Sequence, residues 1–114
     1  MLVSMMAPLL AAAAQAPAAP PPQPSVMTLA QALDTCMATY AVRLSRTDAT
    51  DEAVFAGAQQ GCGPLNQRLR AAVSAELPAD QARELLATLE TSERPNFMTM
   101  LQRIRADRRR RAGE

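Results

Sequence analysis

The chain has 114 residues with a net charge of +1, which suits one domain and does not by itself mark a nucleic-acid binder. All 12 basic residues are arginine and histidine is absent, so Ser–His and Cys–His nucleophile pairs, His-ligated zinc and Schiff-base lysines are excluded. Tyr40, Phe55 and Phe97 are the only aromatic residues; a core of Leu, Met, Val and Ala is thin, and a domain this small commonly needs a covalent staple.

The run from Leu2 to Ala14 is uncharged and apolar and leads into small residues. At about thirteen residues it falls short of the roughly twenty needed to span a bilayer, and it reads as a secretory signal peptide over 1–14. Cleavage is expected after Ala14, alternatively after Ala16, where the following Pro17 would hinder the peptidase. No cysteine follows for a lipid anchor. The competing reading is a buried or frayed N-terminal helix. Residues 17–24 hold five prolines in eight positions, and residues 15–26 are therefore expected to form an extended, solvated linker.

An all-helical domain is expected over 27–107. Thr28-Leu29-Ala30-Gln31 fits a capping box that starts the first helix. Leu29, Leu33, Cys36, Tyr40 and Leu44 then recur at steps of four, three, four and four, which is one apolar helical stripe. Asp48 and Thr50 offer caps for a second helix over 51–60, and Asp51 and Glu52 fall in its first turn, where the helix dipole favours negative charge. The same carboxylates lack the spacing and glycine of a calcium loop. Gly61-Cys62-Gly63-Pro64 combines a helix stop with a helix start. A third helix is expected over 64–77, a fourth over 79–92 and, restarting at Pro95, a fifth carrying Phe97, Met100, Leu101 and Ile104. No strand-like alternation is present. The fold class is all-α, a bundle of four to five short helices built on an antiparallel helical hairpin.

That hairpin carries the chain's two cysteines. Cys36 and Cys62 each lie thirteen residues from Ala49, the centre of the most turn-like run between them, so on two antiparallel helices they sit at similar height. A structural Cys36–Cys62 disulfide is expected. The Cys-x-x-Cys spacing of redox enzymes is absent, and no basic residue neighbours either sulfur to activate it. Export would supply the oxidising compartment.

Charge is unevenly spread. Residues 28–93 carry nine acids and five arginines, whereas residues 94–114 carry seven arginines and two acids. Residues 108–114 are expected to be a solvated, disordered Arg-rich tail. Arg103, Arg105, Arg108, Arg109, Arg110 and Arg111 allow three readings: a solvated helix end, a patch for anionic lipid or another acidic envelope component, or a nucleic-acid site. Peripheral membrane contact through these arginines is the functional form of the second. The third is set aside, because no aromatic residues interleave with the arginines.

Met98 and Met100 could offer thioethers to Cu(I), but residues two apart on a helix point to opposite sides. Glu84, Glu90 and Glu93 could be imagined as an acid/base pair, yet nothing sets one apart from the others. No catalytic, metal or cofactor residue is assigned. Leu77-Pro78-Ala79-Asp80-Gln81 resembles the LTxxQ motif of small periplasmic helical stress chaperones and metal-resistance proteins, with Pro78 in place of the threonine. The resemblance covers five residues and implies an ATP-independent chaperone or envelope-stress module. The expectation is a periplasmic or secreted, non-catalytic interaction or structural protein of the envelope, its partner an unidentified protein or anionic component, with the chaperone as alternative.

Overall fold

Ser25 caps the first described helix by accepting the Thr28 N–H on its hydroxyl at 3.2 Å, one turn before the expected Thr28 cap. The computed structural model describes residues 25–113; the expected signal peptide and nearly all of the linker lie outside them. Helix α1 spans Val26–Leu44. The earlier start is secured from outside the helix, because the Val26 N–H donates to Glu76 Oε2 at 3.2 Å and the Val26 side chain packs on the core.

Helix α2 spans Asp51–Gly61, and Thr50 is its cap, accepting the Ala53 N–H at 3.2 Å. Helix α3 spans Gly63–Glu76 with Pro64 in its first turn, so only Cys62 separates α2 from α3. At this elbow Gly61 lies against the Tyr40 ring of α1, and a Cβ there would collide with the ring. Glycine leaves room for the Tyr40 ring at this position.

The remaining chain is one helix. α4 runs Ala79–Ala112, 34 residues including Pro95, or about 50 Å at the usual rise. The expected division into a fourth and a fifth helix at Pro95 is therefore replaced by a single long one. An interior proline costs about 3 kcal/mol through its lost N–H and ring clash. Against this, Phe97 and Leu101 are buried just beyond it, each stabilising by about 1.5–3 kcal/mol. Phe97 packs on Phe55 with ring centroids 5.2 Å apart. Arg94, just before the proline, ion-pairs with Glu52 and lies 5.6 Å from the Phe55 ring centre. Contacts to α2 on both sides of Pro95 outweigh its local cost.

The Arg-rich end differs from expectation in the same direction. Arg108, Arg109, Arg110 and Arg111 lie within α4, where a disordered tail was expected. Arginine is a good helix former, Asp107 pairs with Arg110 and Arg111 at 3.0 and 3.2 Å, and the segment is tied to the rest of the fold. Arg105 donates to the Ala49 carbonyl at 2.8 Å and Arg108 to the Val42 carbonyl at 2.9 Å. Arg105 Nε also lies 3.0 Å from Asp51 Oδ1, an ion pair whose N–H is not aligned as a hydrogen bond.

All four helices pack about two groups of apolar side chains, with no strand among the described residues. The first joins Met37 and Ala41 of α1, Val54, Phe55 and Ala58 of α2, Cys62, and Phe97 and Leu101 of α4. The second joins Leu29 of α1, Leu69 and Val73 of α3, and Ala82 of α4. Leu33 touches both. Cys36 and Cys62 form a disulfide, their Cα atoms 6.0 Å apart, which ties the middle of α1 to the elbow between α2 and α3.

Candidate functional site

Helix α1 meets α2 and α4 along its C-terminal half and α3 and α4 along its N-terminal half. Between the two groups, α1, α3 and α4 leave a cleft of about 390 Å³. Its floor is apolar: Leu33 and Met37 from α1, Leu69 from α3, and Leu89, Phe97 and Met100 from α4. Helical spacing puts them there, since Leu33 and Met37 are four apart, and Leu89, Phe97 and Met100 extend the stripe of α4 straight past Pro95. The rim is polar, with Asp34 on α1, Asn66 and Arg70 on α3, and Ser92, Glu93 and Asn96 on α4.

Cys36 directly precedes Met37, and Cys62 lies one turn before Asn66, so the disulfide fixes two of the cleft's three walls relative to each other. Asp34, Arg70 and Glu93 form no ion pair among the described residues, which leaves both signs of charge available at the rim. Volume and lining fall within the range usual for a site that takes a small apolar molecule or the side chains of a partner.

In the sequence Leu33 reads as part of the α1 apolar stripe and Phe97 and Met100 as apolar residues of the last helix, so the cleft is not visible there. Of the acids weighed as an acid/base pair, only Glu93 reaches it; Glu84 and Glu90 are exposed elsewhere. Met98 and Met100 both pack against the first core group, and Met100 also lines the cleft. No group of three or more His, Cys, Asp or Glu among the described residues is placed to hold a metal ion.

The six arginines singled out in the sequence divide. Arg105 and Arg108 fasten α4 to the Ala49 and Val42 carbonyls, Arg110 and Arg111 share Asp107, and Arg103 and Arg109 have no ion pair among the described residues. Leu77-Pro78-Ala79-Asp80-Gln81 forms the corner between α3 and α4, with Pro78 as the α4 cap residue. No described helix is long and apolar enough to cross a membrane. No protein-family model matches the chain, and no match is found among curated proteins or solved structures.

Proposed function

We propose that this chain is an exported, non-catalytic interaction protein of the cell envelope that receives an apolar group of a partner in the α1–α3–α4 cleft. The cleft carries the reading: among the described residues its floor stays partly exposed at Leu33, Leu89 and Met100, an apolar surface that a ligand or partner can cover. Its frame is a bundle built on an antiparallel α1–α2 hairpin closed by Cys36–Cys62. Supporting export are the signal-like apolar run over 2–14 and a disulfide of the kind that persists in oxidising compartments.

The test is chemical cross-linking in native envelope with the wild-type chain and two variants as bait. Met100→Glu places a carboxylate in the cleft, whereas Thr39→Glu alters an exposed position on α1. A discrete adduct is expected with wild type and Thr39→Glu and reduced about tenfold or more with Met100→Glu, corresponding to about 1.4 kcal/mol of lost binding. Equal yield from all three contradicts the cleft as the site.

A second reading, an ATP-independent periplasmic chaperone, is favoured by the same concave apolar floor together with the LTxxQ-like corner at Leu77–Gln81. It is separated from the first by breadth. A chaperone suppresses aggregation of unrelated unfolded clients at stoichiometric amounts, and an interaction protein leaves them to aggregate.

A further inference from the structure

We propose that the C-terminal ends of α1 and α4 together form a face that docks on the anionic headgroups of a phospholipid bilayer. The Arg108–Val42 and Arg105–Ala49 hydrogen bonds hold these two helix ends side by side. Arg43 and Arg46 of α1, distant in sequence, thereby join the arginines of α4. A shallow depression is lined by Val42, Arg46, Ile104, Asp107, Arg108 and Arg111. A second, sharing Ile104 and Asp107, adds Arg103 and Arg110. Arg43 flanks Val42 on the other side.

The ordinary explanation for cations here is that they complement the helix dipoles. Two helix C-termini present only about one negative charge between them. Arg43, Arg46, Arg103, Arg108, Arg109, Arg110 and Arg111 exceed that need, and with Asp48, Asp107 and Glu114 also counted a surplus of about three positive charges remains. Arg105 is left out because Asp51 matches it. A surplus gathered on one end and attached to a rigid fold acts as a directed field toward an anionic surface.

The apolar residues choose the kind of surface. Val42 is 42% exposed, and Ile104 is partly buried with one side on the core; both line depressions shared with arginines. A bilayer interface offers phosphates to the arginines and acyl-chain contact to Val42 and Ile104 at once. A nucleic-acid backbone offers only the first. The face shares no lining residue with the cleft, so the two sites are tested separately.

The experiment is co-sedimentation of the full chain with vesicles of phosphatidylglycerol in phosphatidylcholine, against phosphatidylcholine alone. Binding is expected to depend on phosphatidylglycerol and to weaken with salt. Each arginine neutralised on the face should cost about fivefold in partitioning, so Arg43→Gln with Arg46→Gln lowers it roughly twenty- to thirtyfold. Arg110→Gln with Arg111→Gln should act similarly and covers the case in which the α1 pair disturbs folding. Arg68→Gln with Arg83→Gln removes the same net charge from exposed positions elsewhere and should change partitioning less than about threefold.

Equal binding to both vesicle types, or equal weakening by the face and control pairs, overturns the proposal. So does duplex nucleic acid binding that persists at the ionic strength at which vesicle binding is lost.

Discussion

Replacing both cysteines, Cys36→Ala with Cys62→Ala, is expected to remove about 3.5 kcal/mol of stability and to lower Tm by on the order of 15 °C. The stability figure is the loop-closure entropy of the 27 residues from Cys36 to Cys62, which the oxidised unfolded chain has already lost. It is a large part of the roughly 5–15 kcal/mol that holds a small domain together. Cys62 is 1% exposed and packs with Met37, Phe55 and Phe97, so the loss includes contacts as well as the cross-link. Thermal melts of wild type with and without reductant, beside the double variant, measure it. Similar melts for all three, or native thiols that label without reductant, would show that the staple contributes little.

Phe97→Ala should be comparably severe, at about 3–5 kcal/mol. Phe97 is 3% exposed, faces Phe55 across the α2–α4 contact and lies just past Pro95. Removing it takes away burial that offsets the proline and leaves a cavity that few large side chains can fill, since the chain holds no other aromatic residue besides Phe55 and Tyr40. A denaturant melt reads the change as a lower midpoint at nearly constant slope. A loss under about 1 kcal/mol would mean that the α2–α4 contact is not part of the core.

Much of this architecture is legible in the residues. The four-three-four-four spacing from Leu29 to Leu44 marks α1, and Gly61-Cys62-Gly63-Pro64 marks the elbow. The cysteine placement about Ala49 points to the disulfide that the structure contains.

What was not legible depends on tertiary contacts. Pro95 reads as a stop, but the stripe of Ala82, Leu85, Leu86, Leu89, Phe97, Met100, Leu101 and Ile104 keeps its phase across it, and that continuity was the available signal for one helix. The Arg-rich end reads as a tail because its anchors are the carbonyls of Val42 and Ala49, backbone groups that no motif marks. Arg43 and Arg46 look like ordinary surface charges until α4 returns to lie beside them. The cleft is least visible of all. Leu33, Met37, Leu69 and Met100 have the same spacing whether the helices close over them or stand apart.

The proposed function rests on that cleft. The disulfide holds α1 to the elbow, the elbow sets where α3 departs, and the Phe55–Phe97 contact carries α4 past Pro95. The apolar floor is the result. The measurement that tests this most directly is site-specific photo-cross-linking in native envelope, with a benzophenone side chain at position 100 in the cleft or at position 39 on the outer face of α1. A discrete partner adduct from position 100 and none from position 39 is the predicted result. The same adduct from both positions, or from position 39 alone, would contradict it.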